Sequence, residues 1–437
     1  MKQFYDRTTE LAALSQIDEQ SKEYACFTLL TGRRRIGKTE LLRHFIQDKK
    51  SAYLFAMRDS ESDLCSQWQK TLEKSIGLKI FGTVTSIADL FEQIMIFSQG
   101  NHFVLVMDEF QDLQFIAPSF FSKMQNIWDS YKSGSKINLI ACGSIFSMMT
   151  RIFQDSKEPL FGRCTHHIHL KPFTPSVVKK ILADFNPTYK SEDLLCLYML
   201  SGGVAKYIFL LMHGKATTKD TMISYATTMT SPFLIDGKDI LISEIGKEYG
   251  IYFSILKLIS QGKTTQSEID SIILKNTGAY LKNLETVLGV IRTVKPLFSK
   301  PESRNVRWQI IDNYLKFYFR FIYSNQYLIE LGQYDLLQEK IHEEYEVYTG
   351  KTLEQYFMEK IAEEEAVTQL GSWWNKKSQN EIDLIALNEE TKDATIIEVK
   401  RQARKISLEK LREKSVEFEK NLPGYQITYK GLSLDDM

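Results

Sequence analysis

The feature that most constrains this chain is a loop bounded by two glycines. The apolar run Phe27-Thr28-Leu29-Leu30-Thr31 ends in Gly32-Arg33-Arg34-Arg35-Ile36-Gly37-Lys38-Thr39, and a helical pattern starts at once with Glu40-Leu41-Leu42. Strand, tight glycine turn and helix N-terminus in that order predict a site for a nucleoside triphosphate. Backbone N–H groups along 32–37 would cradle the phosphates, and the helix dipole favours their negative charge. Lys38 is the candidate for the β/γ-phosphates, and the Thr39 hydroxyl is the candidate Mg²⁺ ligand.

Such a site also needs carboxylates, one to hold the metal through water and one to orient the attacking water. The run Val104-Leu105-Val106-Met107 ends in Asp108-Glu109, roughly 70 residues beyond the loop. In open α/β sheets ligands bind at that carboxyl edge of the strands. Asp108 is therefore the expected Mg²⁺ partner and Glu109 the expected general base. Ser144, at the end of the next apolar run, is expected to sense the γ-phosphate. Arg163, in Phe161-Gly162-Arg163, is a candidate for stabilising transition-state charge, with a surface arginine as the equal alternative.

A chain of 437 residues is too long for one core, so several domains are expected. Lys+Arg and Asp+Glu both total 55, which removes any global basic field. The five cysteines lack Cys-x-x-Cys spacing, so reduced thiols are expected rather than disulfides or zinc. The N-terminus has no apolar leader core, and no stretch is long and uncharged enough to span a bilayer. A cytoplasmic protein without membrane partners is the resulting expectation.

Strand-like runs alternate with amphipathic helical segments through the first part, the pattern of a parallel α/β sheet. From Pro175 to Lys215 the pattern is helical, broken at Gly202-Gly203, and predicts a helical lid. Three short helices follow from about Gly246, then two strands at Val290–Pro296 and Val306–Ile311. That order is the order of a winged helix-turn-helix, either a DNA contact or a protein-interaction module. The aromatic stretch Tyr314–Tyr323 reads as core packing. Expected boundaries are 1–172 for the nucleotide core, 173–244 for the lid, 245–330 for the winged helix and 331–437 for a C-terminal α/β domain.

Phe4…Arg7…Glu10-Leu11, Gly-Arg-Arg-Arg-Ile-Gly-Lys-Thr, Met-Asp-Glu-Phe-Gln, Cys-Gly-Ser and Leu160-Phe161-Gly162-Arg163 together resemble the archaeal-type ATPases. Those proteins belong to the signal-transduction ATPases with numerous domains, within the AAA+-like P-loop fold. The resemblance covers roughly the first half of the chain. It implies ATP rather than GTP as cofactor, with Arg7 and Phe4 near the nucleotide base and a winged helix after the lid.

In the last third, Asn380-Glu381-Ile382-Asp383 and Ile397-Glu398-Val399-Lys400 predict a hairpin that converges two carboxylates and an ammonium. Strand alternation puts Glu398 and Lys400 on one face. Asp383 and Glu398 are candidate Mg²⁺ ligands, Lys400 would steady the attacking hydroxide or the phosphate, and Glu354 from the preceding helix would complete the cluster. A cross-strand charge network is the alternative. The basic run from Lys400 through Arg401, Arg404 and Lys405 to Lys414 would suit a phosphate backbone. These residues, with Gly371-Ser372-Trp373-Trp374 before them, resemble the PD-(D/E)xK nuclease superfamily, the restriction-endonuclease-like fold. The resemblance implies a Mg-dependent nuclease-like domain with DNA as partner. The expected function is an ATPase that couples nucleotide state to that domain. The alternative is a nucleotide-dependent signalling or assembly switch, oligomeric or not, whose last domain binds without cleaving.

Overall fold

The computed structural model describes residues 4–246, 249–303, 305–375 and 379–437. Two compact units are present, Met1–Lys171 and Pro172–Met437.

The first unit is built on five parallel strands: β1 (Cys26–Thr31), β2 (Ser51–Phe55), β3 (Phe103–Asp108), β4 (Ile137–Cys142) and β5 (His166–His169), in the spatial order β2-β3-β4-β1-β5. The near-continuous apolar runs are explained by burial on both faces. Phe27, Leu29, Leu105, Met107, Leu139 and Ala141 enter one core, while Leu30, Val104, Val106, Ile140 and Cys142 enter the other. Each fully buried Leu, Ile or Phe contributes roughly 1.5–3 kcal/mol to holding the sheet between its two cores. The helix Lys38–Ile46 starts directly after the glycine loop. Gly32 has φ +149°, and a Cβ there would lie 2.8 Å from the Leu170 carbonyl oxygen. The chain can make this turn only without a side chain.

The second unit opens with helices Pro175–Phe185, Ser191–Ser201, Ala205–His213, Lys219–Thr227 and Asp236–Ile245. Residues Leu194 to Leu200 are fully buried, so the helix Ser191–Ser201 is central to this bundle. It ends at Gly202 in the left-handed conformation, the predicted break. Helices Tyr249–Ser260, Gln266–Ile273 and Gly278–Thr286 follow, then the antiparallel pair β6 (Ile291–Val294) and β7 (Arg307–Ile310). Thr265 and Glu268 form the capping box that starts the second of those helices. Tyr314, Phe317, Phe319 and Phe321 are buried, which accounts for the aromatic stretch as core.

A 31-residue helix, Tyr334–Glu364, leads into β8 (Gln369–Trp374), β9 (Glu381–Asn388), β10 (Asp393–Val399), the helix Leu408–Glu419 and β11 (Gln426–Leu432). The sheet order is β11-β10-β9-β8, with β8–β9 and β9–β10 antiparallel and β10–β11 parallel. Trp373, Ile385, Ile396, Leu411 and Phe418 form its core. Among the described residues, no helix is long and apolar enough to cross a membrane.

Candidate functional site

At the carboxyl edge of the first sheet, the predicted nucleotide residues meet. Gly37 has φ +102° and hands the chain to the helix that Lys38 begins. Lys38 is buried and folds back on the loop, its Nζ donating to the carbonyls of Gly32 at 2.7 Å and Arg33 at 3.0 Å. Burial and the nearby Arg34 lower its pKa, against the opposing pull of Glu109 and Asp108. An ammonium held on carbonyls above a glycine cradle fits an anionic triphosphate.

Beside it, the Thr39 hydroxyl donates to Asp108 Oδ2 at 3.3 Å, and the Tyr53 hydroxyl donates to the same oxygen. The Glu109 N–H donates to Asp108 Oδ1 at 2.9 Å. Thr39 and Asp108 thus share the space where a hard divalent cation would take oxygen ligands. Glu109 stands in the left-handed region at φ +51°, which turns its side chain off the strand direction. Its Oε2 accepts from Ser144 Oγ at 2.7 Å and from Gln111 Nε2 at 2.6 Å. Ser144 Oγ in turn accepts from Arg34 Nε at 3.3 Å.

Arg7 is buried at φ +70°, paired with Glu10 at 3.1 Å, and its Nη2 reaches the Ile36 carbonyl at 3.4 Å. Phe4 stacks on His44 with ring centroids 4.2 Å apart. Arg7 therefore borders the loop, while Phe4 lies against the helix that follows it. Arg35 takes φ +71° within it.

For Arg163 the geometry favours the second of its two expected readings, a surface arginine. Thr165, two residues on, donates its N–H to the Phe27 carbonyl near the start of β1, whereas the loop leaves the far end of that strand. Four residues of strand separate the two levels by about 13 Å. Arg163 is instead bound to Asp129 at 3.2 Å and to the Phe161 carbonyl. A parallel sheet has two edges, and a residue before a strand belongs to the wrong one for this chain's own nucleotide. Tyr53 and Gln111 were the residues missed. Tyr53 sits one strand away from Asp108, across a pairing that the sequence does not announce.

In the second unit, β9 and β10 bring Asp383, Glu398 and Lys400 together. Lys400 Nζ lies 3.1 Å from Asp383 Oδ2 and 3.5 Å from Glu398 Oε1. The Val399 N–H donates to Asp383 Oδ2 at 2.9 Å, and the Ser407 N–H donates to Glu398 Oε2 at 3.0 Å. Burial would raise the Glu398 pKa, but the Ser407 N–H with Lys400 and Lys414 outweighs it and holds the carboxyl below its usual range. Burial likewise works against charge on Lys400, and the Asp383 and Glu398 carboxylates outweigh it.

Glu354 is anchored by Lys351 at 2.9 Å, and Lys351 also reaches Glu381 at 3.2 Å. Burial, with the charge of Asp383 adding, pushes the Glu354 carboxyl up to about 7. Arg307 clamps Glu381 at 3.0 Å and stacks over Trp374 at 4.1 Å. Among the described residues, no three His, Cys, Asp or Glu side chains already have the mutual spacing of a metal site. The carboxylates of this second site are engaged by cations instead. Arg401, read as a phosphate contact, is committed to Glu192 and Thr349. Its guanidinium is an internal tie rather than part of an open basic face.

Comparison with known proteins gives three kinds of likeness. Residues 4–211 match an ATPase domain predominantly from Archaea, and residues 318–415 match a family described as Archaea bacterial proteins of unknown function. The uncharacterized protein MJECL04 of Methanocaldococcus jannaschii is 31% identical over 408 residues, 91% of this chain and 87% of that protein. The Walker-type ATPase PABY2304 of Pyrococcus abyssi has a similar fold, with TM-score 0.53 and 20% identity over 72% of this chain and 96% of that one. The ORC2 protein of Aeropyrum pernix, solved in ADPNP and ADP complexes, gives TM-score 0.49 and 14% identity over 76% of this chain and 96% of its own.

Proposed function

Because the chain belongs to the same family as the Methanocaldococcus protein, with an ATPase domain of the predominantly archaeal kind, we propose that it binds and hydrolyses ATP and uses the nucleotide to govern its C-terminal domain. The carrying observation is the meeting of Lys38, Thr39, Asp108 and Glu109 at one strand edge. In this reading Lys38 leaves the loop carbonyls for the β/γ-phosphates, and the 32–37 backbone binds the remaining oxygens. Thr39 and Asp108 would hold Mg²⁺, which when bound would neutralise charge on the phosphate oxygens. Glu109 accepts a proton from the attacking water, with Ser144 and Gln111 fixing its direction. Arg7 borders the base. Nucleotide-dependent oligomerisation without DNA affinity would instead mark the alternative, a signalling or assembly switch.

For the C-terminal domain we propose a nuclease-like site acting on DNA, with Asp383 and Glu398 as Mg²⁺ ligands, Glu354 as auxiliary acid and Lys400 as phosphate contact. The mixed α/β sheet and the convergence of these side chains support it. The helices 175–245, proposed as the lid, share one compact unit with this sheet, which supports nucleotide control of the site. A second reading also has an observation behind it. Lys400 sits between Asp383 and Glu398, as in a structural charge network, and a domain of that kind would bind without cutting. The test is phosphate release from ATP together with nicking of supercoiled DNA in Mg²⁺ or Mn²⁺, for wild type, Lys38→Ala and Asp383→Ala. ATP hydrolysis lost only in Lys38→Ala, with nicking lost in Asp383→Ala, supports the first reading. Hydrolysis without nicking by wild type selects the second.

A further inference from the structure

A cleft of about 930 Å³ opens in the second unit, walled by β6–β7, by the helix Tyr334–Glu364 and by β8–β9. Glu354 and Asp383 are part of its wall, so it reaches the second site. Six cations line it, and they fall into two classes. Arg307 is neutralised by Glu381, Lys351 by Glu354, and Arg320 by Glu344.

The other three rest on uncharged oxygens. Arg292 donates to Gln309 Oε1 at 2.9 Å, Lys295 to the Pro301 carbonyl at 2.6 Å, and Lys316 to Asn313 Oδ1 at 3.2 Å and to Gln355 Oε1. Among the described residues, no carboxylate lies within ion-pair distance of these three. Lys316 is half-buried, and burial together with repulsion from Arg292 lowers its pKa to about 8, against the opposing pull of the more distant Glu359 and Asp312 carboxylates. Glu359 and Asp312 act on Lys316 from beyond ion-pair distance, so the repulsion between the two cations is compensated only in part, and an anion in the cleft would stabilise both.

We propose that this cleft is a phosphodiester site, in which Arg292 and Lys316 hold backbone phosphates of one nucleic-acid strand and Lys295 extends the track along the hairpin. The proposal deepens the nuclease-like reading, since the same cleft leads to Asp383. The volume lies at the upper end of the roughly 300–1,000 Å³ of small-molecule sites, which suits a short run of one strand. Gln309 and Gln355 orient the cations without neutralising them, so their charge remains available to phosphate oxygen.

The test is fluorescence anisotropy of a labelled single-stranded DNA of ~12 nucleotides on the full chain. EDTA is included to prevent cleavage, and Lys38→Ala is the background that removes the nucleotide loop's contribution. Arg292→Gln and Lys316→Gln should each weaken binding about tenfold, the loss of one charge-assisted contact. Together they should lower the slope of log K against log salt by about 1.4, as for two phosphates of a single strand. Unchanged affinity and slope in both variants, with wild-type thermal stability, would overturn the proposal. Displacement of the strand by AMP or inorganic phosphate at equal concentration would overturn the strand as ligand. Nicking is read separately. If the variants weaken binding but wild type does not nick, the cleft stands and the nuclease reading falls.

Discussion

Ser144 donates its hydroxyl to Glu109 across 2.7 Å, and the same oxygen accepts from Arg34 at 3.3 Å. One hydroxyl therefore joins the phosphate loop to the candidate base. A triphosphate that draws Arg34 toward its own oxygens would leave Ser144 bound to Glu109 alone. The base would then be aimed by the serine and by Gln111.

This arrangement separates positioning from binding. Glu109→Gln should lower kcat for ATP about 10²–10³-fold while ATP affinity holds. Ser144→Ala removes the aim but not the base, so kcat should fall about tenfold with KM within about twofold. Steady-state hydrolysis and equilibrium binding of a fluorescent ATP analogue check both. A Ser144→Ala effect confined to KM would count against the positioning role.

Lys38 should behave in the opposite sense. Its ammonium is the loop's buried cation, so Lys38→Ala should weaken ATP binding about a hundredfold or more, as measured by calorimetry. Wild-type affinity in this variant would remove Lys38 from the site.

Much of the first unit was legible in the sequence because its strands are buried on both faces and announce themselves as unbroken apolar runs. The glycine loop and Asp108-Glu109 were legible because local sequence alone sets strand, turn and helix. The two readings of Arg163 could not be separated because sequence order does not tell which edge of a parallel sheet a residue occupies. Tyr53 was missed because strand neighbours in space are not neighbours in the chain. Asp383, Glu398 and Lys400 could be grouped from two-residue alternation in an adjacent hairpin. Their surroundings could not, since Arg307 reaches Glu381 across 74 residues and Arg401 reaches Glu192 across 209.

The Arg401 tie predicts a stability effect in a residue next to Lys400. Its guanidinium is largely buried, touching Glu192, Thr349 and the Tyr345 ring. Arg401→Ala leaves Glu192 without its partner and should cost about 1–3 kcal/mol, read as a lower midpoint in urea unfolding of the second unit. Hydrolysis of ATP at saturating nucleotide should persist below the transition. An unchanged midpoint would mean that the pair is solvated and contributes nothing measurable.

Glu354 supplies the pH dependence. Its carboxyl is raised from an ordinary 4.5 to about 7, by burial first and then by Asp383. Between those two values the folded chain holds more proton than the unfolded chain, so stability falls as pH rises through the window. At about 1.4 kcal/mol per pH unit across that window, the loss should be on the order of 3 kcal/mol, the opposing effect of Lys351 being contained in the shifted value. Above pH about 7 the dependence on this group ends, because both states are ionised. Glu354→Gln keeps the shape, cannot ionise, and should flatten the slope between pH 5 and 7 in metal-free urea unfolding. A slope as steep in Glu354→Gln as in wild type would assign the titration to another group. A divalent cation bound beside Glu354 would favour the ionised form and should diminish the same slope, giving a readout of metal binding independent of any cleavage.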